Sequence, residues 1–110
     1  RQWILSTLGD HRDNRKRAEE FKATSRCSKD ELIKILNDLD LDLQRTLDHI
    51  SEDQMTAKHE VQCYTESGVA ILIHVIEHFS YHVGQITFYT KFLLNVDMGY
   101  YAGEDLTNTN

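Results

Sequence analysis

The chain has 110 residues, the size of one domain with a modest hydrophobic core. It is 40% apolar and 27% charged, with two cysteines and no proline, which favours an all-α protein and excludes collagen-like and disulfide-dense folds. The net charge of −6 argues against nucleic-acid binding.

Residues 1–8 have the pattern of the last turns of a helix. Trp3, Ile4 and Leu8 fall near one helical face, and Gly9 follows at a position typical of a C-terminal cap. Such a helix has no beginning in this sequence, so we expect an earlier part of it upstream of residue 1.

Residues 9–27 are polar and predict a long connection with a short helix around residues 18–21. Positive charge concentrates near the start of the chain. Residues 1–26 carry seven Lys/Arg and four Asp/Glu, a net charge of +3. Residues 27–110 carry five Lys/Arg and fourteen Asp/Glu, a net charge of −9. The excess centres on Arg12, Arg15, Lys16 and Arg17. This cluster is either a small site for anions such as phosphate or a solvated loop.

The next segment predicts a helix over residues 28–51. Ser28 and Glu31 form a capping-box pattern at its start. Apolar residues then recur every three or four positions over about five turns. They are Leu32, Ile35, Leu36, Leu39, Leu43, Leu47 and Ile50.

Residues 52–66 lose this periodicity and predict a connecting loop, with residues 61–64 extended. Residues 67–95 again follow a helical apolar spacing, too long for a strand, with Ser67 as a cap. The sequence therefore predicts a second long helix, followed by a polar tail over residues 96–110 that is partly ordered through Tyr100 and Tyr101.

This last helix carries a stripe of histidines at i, i+4 and i+8, which are His74, His78 and His82. Neighbouring members lie about 6 Å apart along the axis and can share one divalent ion, whereas the outer two are about 12 Å apart and cannot. One adjacent pair is therefore a candidate metal site. The third histidine is left for an outer-shell contact, a substrate contact or packing.

Further polar residues lie beside the stripe. Gln85 can hydrogen-bond a ligand or a bound water, and Glu77 and Tyr81 are a candidate acid–base group and a hydroxyl donor, or else an ordinary surface acid and an interfacial aromatic. Gly84 indicates either the close approach of a helix or ligand, or a tolerated kink.

The segment from His74 through Glu77, His78, Tyr81 and His82 to Gly84-Gln85-Ile86 resembles the last-helix signature of the DinB/YfiT-like metalloenzyme superfamily. The remaining chain is similar to an uncharacterised bacterial branch of it, at Arg1-Gln2-Trp3-Ile4, residues 12–21, Thr90-Lys91 and residues 97–101.

The resemblance implies an up-and-down four-helix bundle in which residues 1–110 form a single all-α domain that lacks helix one and most of helix two. It also implies a divalent ion, zinc or nickel first, held by three histidines. Two of them correspond to His78 and His82, and the third would lie upstream of Arg1.

From the characterised members of that superfamily, the resemblance implies that the protein is a metal-dependent thiol transferase or hydrolase that uses a low-molecular-weight thiol. Glu77 and Tyr81 are then the candidate catalytic residues, and His74 and Gln85 the candidate cofactor-binding residues. The alternative is a non-catalytic helical protein that binds metal or oligomerises. A third possibility is a helical protein-interaction module that binds no metal. The histidine stripe argues against it.

We expect a homodimer, because an incomplete bundle exposes apolar helix faces. Cys27 and Cys63 are far apart in sequence, and we expect reduced thiols and a cytoplasmic location. No apolar run reaches the length of a membrane span, so we expect no membrane partner.

Overall fold

A computed structural model describes residues 1–9, 11–22 and 27–107 of the protein. The elements, in order, are a π-helical turn Gln2–Ser6, α1 Arg17–Glu20, α2 Lys29–His49, α3 Glu52–Thr56, β1 Lys58–Val61, β2 Tyr64–Ser67 and α4 Gly68–Leu94. The chain divides into two units, Arg1–Ile76 and Glu77–Asn110. Among the described residues, no helix is long and apolar enough to cross a bilayer.

The N-terminal segment is helical, as predicted, but its turn is wider than that of an α-helix. The amide of Ser6 donates to the carbonyl of Arg1 at 3.3 Å, and that of Gly9 donates to Ile4 at 3.0 Å, both five residues back. The cap prediction for Gly9 is wrong, because the described glycines with positive φ are Gly99 and Gly103.

Gly9 is required for a close approach instead. A Cβ at this position would lie 2.8 Å from Cγ2 of Thr46 and 2.9 Å from the carbonyl oxygen of Leu5. The absence of a side chain therefore lets the chain pass directly over helix α2.

Helix α2 confirms the prediction for residues 28–51. Oγ of Ser28 accepts a hydrogen bond from the amide of Glu31 at 3.2 Å, and the Glu31 carboxylate accepts one from the amide of Ser28 at 2.8 Å. The bond from the Ser28 amide, followed by that from its hydroxyl, holds the pKa of Glu31 below its ordinary value of 4.5. The helix thus begins where the sequence indicates.

The prediction of a connecting loop over residues 52–66 is wrong. Ser51 and Gln54 form a second capping box, which starts helix α3. Strands β1 and β2 then pair as an antiparallel hairpin with Val61 opposite Tyr64. The protein is therefore mainly helical, but the two-stranded sheet departs from the expected all-α chain.

The hairpin turn explains why the sequence pattern did not show it. Gln62 occupies the left-handed region with φ of 56°, where glycine or asparagine is the usual residue. Across the strands, the hydroxyl of Thr65 donates to the carboxylate of Glu60 at 2.6 Å, and Val61 is buried below. Burial of Val61 in the core therefore stabilises a hairpin whose turn residues do not themselves favour the turn.

The hydrophobic core lies within the unit Arg1–Ile76. Its cluster consists of Ile4, Leu8, Val61 and Ile71, with Trp3, Leu43, Ile50, Leu72 and Val75 packed against it. Ile71, at the start of α4, has no exposed surface.

Both long helices extend their apolar faces beyond this core. On α2, Leu32, Ile35 and Leu36 remain exposed. On α4, the same holds for Phe79 and Ile86. The apolar periodicity therefore identified the helices correctly, but burial is confined to the end of α2 and the start of α4.

Helix α4 starts as predicted at Ser67, whose hydroxyl accepts a hydrogen bond from the amide of Ala70 at 3.2 Å. Gly68 contacts the backbone of α3 so closely that a Cβ would lie 2.5 Å from the carbonyl oxygen of Gln54. In the described part of the tail, the hydroxyl groups of Tyr100 and Thr87 form a hydrogen bond of 2.7 Å. This contact agrees with the prediction that Tyr100 helps to order the tail.

Two glycine-to-alanine substitutions test this packing. Gly68→Ala should destabilise the protein by about 1–3 kcal/mol, because α3 would have to shift. Gly84→Ala is the control within the same helix. Apart from the local helix backbone and the chain neighbours, no described atom lies within 4 Å of the added Cβ, so alanine should stabilise by up to about 1 kcal/mol. Urea unfolding followed by circular dichroism measures both, and a neutral Gly68→Ala would contradict the close contact.

Candidate metal centre

Two histidines meet on the exposed surface of helix α4, within the unit Glu77–Asn110. His78 and His82 are one turn apart, and their Nε2 atoms are separated by 3.1 Å. The ring centroids are 4.6 Å apart and the ring planes are inclined at 84°. The helix therefore directs equivalent nitrogens of both imidazoles to one point.

This separation can be compared with the geometry of a metal site. Zinc–nitrogen bonds of about 2.0–2.1 Å in a tetrahedral site place two ligand nitrogens about 3.3 Å apart. The observed distance between the Nε2 atoms differs from this by a few tenths of an ångström. A divalent ion would need only a small opening of the two rings, so the donor pair fits such an ion.

Gln85 determines which nitrogen of His82 carries the proton. Its Oε1 lies 2.9 Å from Nδ1 of His82, and its Nε2 donates to the hydroxyl of Tyr81 at 3.0 Å. Because an amide oxygen only accepts, Nδ1 of His82 is the donor. Nε2 of neutral His82 therefore accepts a hydrogen bond from Nε2–H of His78. An ion would take the place of that proton, so that His78 binds it as the Nδ1–H tautomer as well.

Tyr81 completes a connected chain of polar groups. Its ring lies edge-on to that of His82, with centroids 5.3 Å apart. Since its oxygen accepts from Gln85, its own proton is free for donation to another group. The predicted residues Tyr81, His82, Gln85 and His78 are thus joined in one network.

The other predicted site residues lie elsewhere. His74 belongs to the unit Arg1–Ile76, where its ring stacks on the indole of Trp3 at 4.1 Å and 29°. Glu77 is exposed, and its side chain forms no hydrogen bond or ion pair with another described residue. Among the described residues, no other element lies within 4 Å of a Cβ placed at Gly84, so the close approach considered for it is not seen there.

The described part of the chain holds no group of three or more His, Cys, Asp or Glu side chains arranged for a metal ion. The candidate centre therefore consists of two possible ligands, His78 and His82, and of Gln85, which hydrogen-bonds His82. The sequence indicated each of these residues, but not that Gln85 connects two of them. The signal for this link is spacing, because Gln85 follows Tyr81 by four residues and His82 by three.

Comparison with known proteins identifies a family for the chain. Residues 2–101 match a family described as protein of unknown function (DUF1572). Neither a curated protein nor a solved structure matches the chain.

The hydrogen bond from His82 to Gln85 can be tested by nitrogen NMR of the imidazoles. In its neutral form His82 should be the Nδ1–H tautomer, and Gln85→Leu should shift it towards Nε2–H. His49 is an internal control, because its Nδ1 donates to the carbonyl of Arg45 at 2.7 Å and should not respond. An unchanged His82 tautomer in Gln85→Leu would disprove the assignment.

Proposed function

Since the chain belongs to the DUF1572 family, whose function is unknown, we propose that it is a divalent-metal-binding protein of the DinB/YfiT-like superfamily. His78 and His82 are the proposed ligands from this chain. The observation that carries the proposal is the 3.1 Å separation of their Nε2 atoms. Zinc and nickel are the proposed ions, since both accept imidazole ligands.

The proposed architecture is the up-and-down four-helix bundle of that superfamily, with α2 and α4 as two of its helices. Support comes from the exposed apolar side chains of both helices, including Leu32 and Leu36 on α2 and Phe79 and Ile86 on α4. Amphipathic helices of this length normally bury such faces against other helices.

The proposed activity is that of a metal-dependent thiol transferase or hydrolase that acts on a small molecule, with a low-molecular-weight thiol as co-substrate. When bound, a divalent ion lowers the pKa of a coordinated thiol or water and so supplies a nucleophile near neutral pH. Neutral imidazoles suit this role because they leave the positive charge of the ion uncompensated.

Within this proposal, Gln85 and Tyr81 have tasks that their contacts support. Gln85 holds the Nδ1 proton of His82 and orients the ring. Tyr81 offers a hydroxyl proton beside the pair, because its oxygen is already engaged by Gln85. Glu77 is proposed as the acid–base group and His74 as a cofactor-binding residue on the family resemblance alone.

A second candidate is a metal-binding protein without catalysis that acts through oligomerisation. The exposed apolar side chains of α4 favour it, because a soluble monomer rarely exposes large contiguous apolar surface. In both cases we propose a homodimer. A cytoplasmic location is also proposed, supported by Cys27 and Cys63, which are exposed free thiols.

Metal binding is tested by titrating zinc and nickel into the intact chain by calorimetry. Gln85→Leu should weaken binding by about 10–100-fold, as expected for an outer-shell partner, and His78→Ala and His82→Ala should weaken it further. His49→Ala, an exposed histidine of helix α2, is the matched control and should bind as the wild type does. Equal affinity in the wild type and both ligand variants would contradict the assignment.

Dimerisation is tested by sedimentation equilibrium. The wild type should form a dimer, and Ile86→Glu should weaken association by at least about tenfold, because a charge would replace an apolar contact. Ser80→Glu adds the same charge at an exposed polar position of α4 and should leave association unchanged. A wild-type chain that remains monomeric at every concentration would contradict the proposed dimer.

A further inference from the structure

A groove of about 530 Å³ lies within the unit Arg1–Ile76 and contains none of the proposed metal ligands. Leu8 and Thr46, both buried, form its floor. Two arginines and two histidines, all exposed, complete most of its lining; they are Arg12, Arg45, His11 and His49.

The fold assembles this groove from two distant parts of the sequence. Arg45 and His49 are one turn apart on α2 and so share a face of the helix. The segment that carries His11 and Arg12 follows Gly9, which passes over Thr46 where a side chain would collide. The contact of Gly9 with α2 therefore brings both pairs of basic residues to one groove.

The position of Gly9 is fixed by a second contact. The side-chain amide of Gln54 donates to the carbonyl oxygen of Leu8 at 3.1 Å, while its oxygen accepts from the amide of Ser51 at 2.9 Å. The capping box of α3 is thus tied to the chain just before the basic segment. The groove is held by packing and hydrogen bonds on both sides.

The charge of the groove is uncompensated within the described residues. Among the residues that the structure describes, no Asp or Glu lines it, and neither Arg12 nor Arg45 forms an ion pair with another side chain. The other basic residues of the N-terminal cluster are engaged locally. Arg15 pairs with Glu20, Lys16 pairs with Glu19, and Arg17 lies over the ring of Phe21 at 5.5 Å.

His49 presents a defined edge to a ligand. Its Nδ1 donates to the carbonyl oxygen of Arg45 at 2.7 Å, so the ring is held against α2. Nε2 is then the ring atom that faces an external partner, and it donates to an anion only when the ring is an imidazolium.

From this geometry we propose that the groove binds the oxyanion of a small molecule, a phosphate or a carboxylate. Guanidinium groups bind both anions through paired hydrogen bonds, and Arg12 and Arg45 both line the groove, together with His11 and His49. The volume is in the range of small-molecule sites, about 300–1,000 Å³. Arg12 and Arg45 are the anchoring residues.

The test uses the intact chain and two probes, inorganic phosphate and succinate, titrated by calorimetry at constant ionic strength. At least one probe should bind, and Arg12→Gln and Arg45→Gln should each lower the association constant by about tenfold or more, the effect of losing a hydrogen bond to a charged group. Arg17→Gln removes an equally exposed arginine outside the groove and should leave binding unchanged.

The comparison of the two probes assigns the anion. Tighter binding of phosphate identifies a phosphate-bearing ligand, and tighter binding of succinate identifies a carboxylate. Absence of binding to the wild type, or equal losses in Arg17→Gln and in the two groove variants, would overturn the site. Since all three arginines are exposed, circular dichroism should show the same fold in every variant.

Discussion

The complete burial of Ile71 organises the unit Arg1–Ile76. This side chain joins the start of α4 to the N-terminal turn through Ile4 and Leu8, and to the hairpin through Val61. Gly68, three residues earlier, admits the backbone of α3 to the same place. The core is consequently small, and the long helices depend on it only near one end. The exposed apolar side chains that remain on α2 and α4 lead us to propose a homodimer and the four-helix bundle.

Local sequence signals predicted those elements whose causes are local. The capping box of Ser28 and Glu31 and the apolar spacing after it located α2, and Ser67 located the start of α4. The hairpin was missed because its turn places Gln62 in a left-handed conformation without glycine or asparagine. Val61 of the hairpin packs in a core with Ile4 and Ile71, which are distant in sequence, so no local pattern contains that information.

The same distinction applies to the two sites. Helical spacing predicted that two adjacent histidines among His74, His78 and His82 can meet, and the family resemblance selected His78 and His82, whose Nε2 atoms do lie together. The sequence raised an anion site at the N-terminal basic cluster that includes Arg12, but not the groove, which depends on the contact of Gly9 with Thr46, 37 residues apart in sequence. His11 and His49 are likewise related only by the folded chain.

Metal ligation by the histidine pair is the central claim, and X-ray absorption of the zinc-loaded chain tests it most directly. The proposal predicts imidazole scattering with zinc–nitrogen distances of about 2.0–2.1 Å, and loss of that scattering when both histidines are replaced by alanine. A spectrum without imidazole ligands, or one that is unchanged in the variant lacking His78 and His82, would contradict it.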